Sequence, residues 1–232
     1  MVLIGRFDIF FADSSFNCFS ASPRENHIKW LVKIFGHFQD STERQKSLVI
    51  STDDISDISG KEDNTSDWLE KYLNMTADID EGLPDPRGCT IITLVYFDSD
   101  HSHNQLTRQS VSGVMCFVGS TPISWSSKRQ NGIEMYRYSE DFCVGRVATE
   151  EAISMRYILR FLCVPVKVPT TLCVDNLGMI ISSTKLYLDL KNKYVVISYH
   201  KLQYSASAGI VNPIKVCMTV NKSVILTKSM LV

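Results

Sequence analysis

TIITLVYFDSD, Thr90 to Asp100, is the stretch whose reading decides the fold. β-branched and aromatic residues crowd Thr90 to Phe97, as expected of a strand, and the run ends on the acidic FDSD of Phe97 to Asp100. Two more apolar runs follow, Val114 to Val118 and Ile123 to Ser126, with short turns between them that favour antiparallel pairing. At Tyr138 the period changes. Asp141, Gly145, Ala148, Ala152, Met155 and Leu159 share one helical face in a helix running to Leu162, and Pro165 and Pro169 stop it. Thr171 to Val174 reads as a fourth strand, Asn176 to Ser183 as a short helix and Val195 to Ser198 as a fifth strand. Tyr199 to Ala208 is then a helix stopped by Gly209. The expected fold class is α/β, a five-stranded mixed sheet flanked by helices.

Upstream, Ile28, Leu31, Val32, Phe35 and Phe38 recur at helical spacing within Arg24 to Phe38, after the start signal of Ser22 and Pro23. Ser47 to Thr52 reads as a short strand, and the acidic, Ser-rich Asp53 to Ser66 as loop. Trp68, Leu69, Tyr72 and Leu73 suit one or two helical turns before Pro84, Pro86 and Gly88 break the chain. The expected organisation is a small N-terminal helical segment over residues 1–52, an acidic linker over 53–88 and a main domain over 89–232.

Composition limits what the chain does. With 232 residues, 44% of them hydrophobic and 21% charged, it has enough apolar material for one ordinary domain with its own core. A formal net charge of -1 argues against a dedicated nucleic-acid binder, so such binding rests on a local patch, of which Lys128 and Arg129 are the candidates. The seven cysteines form no C-x-x-C pair, and Cys116, Cys143 and Cys173 lie in apolar runs, so they read as reduced core residues. No apolar run approaches the ~18 residues of a membrane span, and the N-terminus lacks a signal-peptide pattern. An intracellular protein, cytoplasmic or nuclear, is expected.

The acids carry the candidate chemistry. Asp98 closes the first predicted strand, Asp175 the fourth, and Asp141 opens the long helix, so pairing strands one and four converges three carboxylates. Such a set suits Mg²⁺ or Mn²⁺, hard cations that take oxygen ligands and keep waters. Two such ions ~4 Å apart activate a water and stabilise the leaving oxygen of a phosphodiester. Each residue also has a plainer reading. Asp98 and Asp100 suit a turn, Asp141 a helix N-terminus and Asp175 with Asn176 a helix cap. Lys128 and Arg129 beside Ser126 and Ser127 suit a solvated face or phosphate contacts. His101 and His103 have no further zinc ligands at workable spacing and read as loop, and Trp125 reads as core.

Taken together, these motifs resemble the Pol polyprotein of copia-type retrotransposons, specifically its C-terminal ribonuclease H domain preceded by the tail of the reverse transcriptase. The resemblance covers nearly the whole chain. It is carried by Asp98 to Asp100, TRQSVSG at Thr107 to Gly113, Ser124 to Gln130, Asp141 with Phe142, Cys173 to Asn176, Lys193 with Tyr194, and Leu226 to Lys228. Gly5 to Ile9 and Ser20 to Gly36 look like the segment after the polymerase palm. The resemblance implies hydrolysis of the RNA strand of an RNA/DNA hybrid with Mg²⁺ or Mn²⁺, Asp98, Asp141 and Asp175 acting as metal ligands. Tyr194 stands at the fourth site position, and Lys128, Arg129 and Asn176 are the expected nucleic-acid contacts. A monomer, or part of a longer polyprotein, is expected.

Three positions depart from the family pattern. Asp141 stands where the family has glutamate, retracting the carboxylate by about 1.5 Å, and ~1 Å of misplacement costs ~10²-fold in rate. Lys193-Tyr194 replaces lysine-histidine, and Val196 stands where many relatives carry an acid. The chain has no Y-x-D-D, which excludes a whole reverse transcriptase. Two readings follow: a weakened ribonuclease H, or a catalytically inactive transposon remnant that keeps the fold and some nucleic-acid binding.

Overall fold

A computed structural model describes residues 12, 24–43, 82–100, 110–130, 137–184 and 193–228. The expected strand at 47–52, linker at 53–66, helical turns at 68–73 and the His101 and His103 pair lie outside them. The main elements are α1 (Glu25–Glu43), β1 (Thr93–Asp100), β2 (Val111–Val118), β3 (Thr121–Arg129), α2 (Arg137–Phe161) and β4 (Thr170–Val174). They continue with α3 (Leu177–Thr184), α4 (Lys193–Ser207), β5 (Val211–Lys215) and a 3₁₀ turn, Lys222–Leu226.

The strands form one sheet in the order β3-β2-β1-β4-β5. β1, β2 and β3 pair antiparallel, whereas β4 and β5 run parallel to β1 and to each other. This is the expected α/β class, a five-stranded mixed sheet flanked by helices. β1 is apolar on both faces, so each face builds its own core. Val95 and Phe97 turn toward α2 and α4 with Val114, Cys116, Leu172, Phe142 and Leu202. Leu94 and Tyr96 turn the other way, with Met115, Phe117, Cys173, Ile214 and Leu226 of the 3₁₀ turn.

α2 buries the face anticipated for it: Asp141, Ala148, Ala152 and Met155 are all inaccessible, and Leu159 packs at its margin. The helix ends on Cys163, a left-handed residue (φ 62), whose neighbour Val164 donates to the Leu159 carbonyl at 2.9 Å. Buried Arg156 ties α2 to the following loop by donating to the Val168 carbonyl at 2.6 Å. That burial pulls its guanidinium down to about 10.

Among the described residues, the element that differs is the fifth strand. Val195 to Ser198 belongs to α4, and the edge strand is Val211–Lys215, so the last helix precedes the last strand. Three β-branched residues in a row favour a strand locally. Packing overrides them: Ser198, Tyr199, Leu202, Gln203 and Ala206 recur at helical spacing and are buried, while Ile197 is 53% exposed. Gly209, with φ 66, ends α4 as expected, which only a residue without a Cβ does at no steric cost.

α1 is an amphipathic helix. Its apolar residues Ile28, Val32 and Phe35 are exposed.

Candidate active site

All three candidate acids lie at one end of the sheet. Tyr96 and Cys173 are the last paired residues of β1 and β4, and two positions beyond them come Asp98 and Asp175. Asp141 enters from the first turns of α2. The carboxylates are nevertheless dealt to two sides.

β1 does not stop at Phe97 but continues to Asp100, so the pleat fixes where each FDSD side chain points. Ser99 follows Val95 and Phe97 onto the helix face, where its Oγ donates to Asp141 Oδ1 at 2.5 Å. Asp141 Oδ2 accepts from Asn176 Nδ2 at 2.5 Å. Asn176 also caps α3, its Oδ1 accepting from the backbone N–H groups of Gly178 and Met179. The amide expected to meet nucleic acid is therefore engaged within the protein. Glu140 is fully buried on the neighbouring helical face, where Oε1 accepts from Ser110 Oγ at 2.5 Å.

Asp98 follows Leu94 and Tyr96 to the opposite face. There it is 3% exposed, and Oδ2 accepts from Thr227 Oγ1 at 2.5 Å. Its cross-strand partner Gly113 and the next residue in that row, Ser127, belong to the same patch. Ser127 Oγ donates to the Leu226 carbonyl at 2.7 Å. A Cβ on Gly113 would sit 2.8 Å from Thr227 Cγ2 and 3.0 Å from the Ser223 carbonyl oxygen. The glycine of TRQSVSG and the threonine of the Leu226–Lys228 segment are thus two halves of one contact.

Asp175 is half-buried just past β4. Lys128 and Arg129 are exposed at the end of β3. Tyr194 lies in the first turn of α4, its side chain outside the described residues. Trp125 is half-buried against the second core, and Cys116 and Cys173 are buried free thiols.

Ser99, Ser110 and Thr227 went unremarked as site residues in the sequence. Each lies 30 or more residues from the acid it bonds, so no local pattern pointed to them; only the fold brings a hydroxyl to each buried carboxylate, which needs one.

Metal binding is tested by these donors. Among the described residues no group of three His, Cys, Asp or Glu side chains is arranged to hold a metal ion. Asp141 accepts one neutral donor on each oxygen, and Asp98 accepts its donor on the opposite face of the sheet. The arrangement does not fit a two-ion centre, and no hydrolytic step is routed through it. Among the described residues no helix is long and apolar enough to cross a membrane.

No protein-family model matches the chain. Among curated proteins it is similar to the retrovirus-related Pol polyprotein from transposon RE2 of Arabidopsis thaliana, 24% identical over 139 residues, 60% of this chain and 9% of that protein. It is similarly related to the Pol polyprotein from transposon RE1 of the same plant, 24% identical over 126 residues, 53% of this chain and 8% of that protein. The chain thus spans less than a tenth of the length of these relatives. Among solved structures it is similar to the N-terminal RNase H domain of a Mycobacterium tuberculosis protein, solved as a fusion with maltose binding protein. That match has a TM-score of 0.43 and 12% identity, covering 57% of this chain and 86% of the other.

Proposed function

We propose that the chain is a ribonuclease H-like domain of retrotransposon Pol origin that keeps the fold and has lost hydrolysis of RNA/DNA hybrids. One observation carries this: Asp98 and Asp141 are each buried and hydrogen-bonded to neutral donors on opposite faces of β1. The similarity to Pol polyproteins supports the origin, and a main domain beginning near residue 89 after a linker is the organisation that goes with it.

The chemistry of cleavage explains the loss. Two cations bridged by shared carboxylates must gather acceptors at one point, their charge offsetting repulsion among the acids. Here the same acids accept from Ser99, Asn176 and Thr227, which stabilise each one singly on its own face of β1 rather than together around shared cations. For nucleic acid, Lys128 and Arg129 at the exposed end of β3 give weak, salt-sensitive contact with a hybrid backbone.

The test is incubation of purified protein with a labelled RNA/DNA hybrid and Mg²⁺ or Mn²⁺, beside an Asp98→Asn control. Equal, background-level cleavage is expected. Cleavage by the parent that disappears in Asp98→Asn would establish a working ribonuclease H and overturn the proposal.

A further inference from the structure

The face that holds Asp98 is covered differently from the other. Residues 221–228 cross it as a strap, whose backbone hydrogen bonds among the described residues stay within it or reach back to Cys217. Val224 N–H donates to the Asn221 carbonyl, Thr227 and Lys228 N–H donate to the Val224 carbonyl, and Asn221 N–H donates to the Cys217 carbonyl. A 3₁₀ turn of this length has little stability of its own. Side chains do the fastening. Asn221 Nδ2 donates to the Phe97 carbonyl at 3.0 Å, and its Oδ1 caps Ser223. Lys222 Nζ stands 4.8 Å from the Phe117 ring centroid, Leu226 is fully buried and Ser127 holds its carbonyl. The last fastening is Thr227 to Asp98.

We propose that residues 221–228 form a latch whose catch is the Thr227–Asp98 hydrogen bond seated on Gly113. Closed, the latch buries the Asp98 carboxylate; open, it exposes that carboxylate while the helix face stays intact. The mechanical part follows from the contacts alone. Its regulatory meaning is that a short segment controls access to one of the two acids, whether or not the domain cleaves a hybrid.

Two substitutions open the latch in independent ways. Thr227→Val keeps the shape and removes the donor, while Gly113→Ala fills the seat and meets a backbone oxygen that cannot swing aside. Thr227→Ser keeps the donor. Hydrogen exchange followed by mass spectrometry reads the strap, and carbodiimide-driven amide labelling reads the exposure of Asp98. Thr227→Val and Gly113→Ala are expected to raise exchange across 221–228 and Asp98 labelling about ten-fold, the scale of one lost hydrogen bond to a charged group. α2 should exchange as in the parent, and Thr227→Ser should restore protection. Unchanged strap exchange in both opened variants, or faster exchange spread equally through α2, overturns the latch. Parent cleavage of a hybrid would overturn the proposed function without touching these readouts.

Discussion

The two faces of one sheet are built to different standards. On the helix face, α2, α3 and α4 lie over Val95, Phe97, Val114, Leu172 and Val174, and the rings of Phe142 and Tyr199 meet edge-on at 5.9 Å between centroids. On the other face, Leu94, Tyr96, Met115 and Phe117 are covered by a five-residue 3₁₀ turn with Leu226 as its plug. The polar chemistry follows that division. Asp141 sits where three helices exclude water, while the burial of Asp98 depends on a short segment. A carboxylate is only as permanently hidden as the element that covers it.

The largest test of the comparison is Phe142→Ala. It leaves a cavity under three helices and should cost about 3–5 kcal/mol in urea unfolding, whereas Leu226→Ala should cost about 2 kcal/mol because the strap can collapse or lift away. Equal losses would mean that the faces are equally cooperative.

Cysteines sharpen the same contrast, because one buried thiol lies on each face: Cys116 under the helices and Cys173 under the strap. Burial pushes both thiols up to about 12 from an ordinary 9.0, with Glu151 adding to the effect at Cys116. Their contribution to stability is therefore complete below pH 9 and is lost as pH rises toward 12. The loss runs at about 1.4 kcal/mol per pH unit per thiol, because the unfolded chain gives up those protons first. Arg156 works in the opposite sense above pH 10, where the fold sheds a proton that the unfolded chain keeps. Urea midpoints at pH 8 and pH 10 check the fall, and at pH 8 alkylation of Cys173 should outpace that of Cys116. The reverse order would place the weaker cover over the helix face.

Ser99→Ala removes the hydroxyl donor to Asp141 Oδ1 and should cost about 1 kcal/mol. At the bottom of the scale, Glu150→Ala breaks the exposed Arg146–Glu150 pair, 3.0 Å apart, and should change stability by less than about 0.5 kcal/mol. A larger effect would mean that this outer face of α2 carries more of the fold than the packing implies.

The sequence exposed the sheet more readily than the site. β1 to β4 and α2 were legible because their periods differ and turn residues separate them. The start of α4 and the whole of β5 were not: Val195 to Ile197 favours a strand in isolation, and Pro213 disguises a real one. That proline is tolerated because β5 is an edge strand, pairing with β4 alone. The gathering of the acids at one sheet end followed from strand pairing, but their faces did not. Leu94 to Phe97 is apolar at every position, so alternation along β1 gives no sign of which residues meet the helices. Ser99 and Thr227 became site residues only once that parity was known.

The account stands on Asp98 and Asp141 turning to opposite faces of β1, and Mn²⁺ binding tests this most directly. Electron paramagnetic resonance of free Mn²⁺, titrated against the parent and against Asp98→Asn, should give the same weak binding curve for both. A tighter Mn²⁺ site in the parent that vanishes in Asp98→Asn would show the carboxylates acting together and contradict the separation.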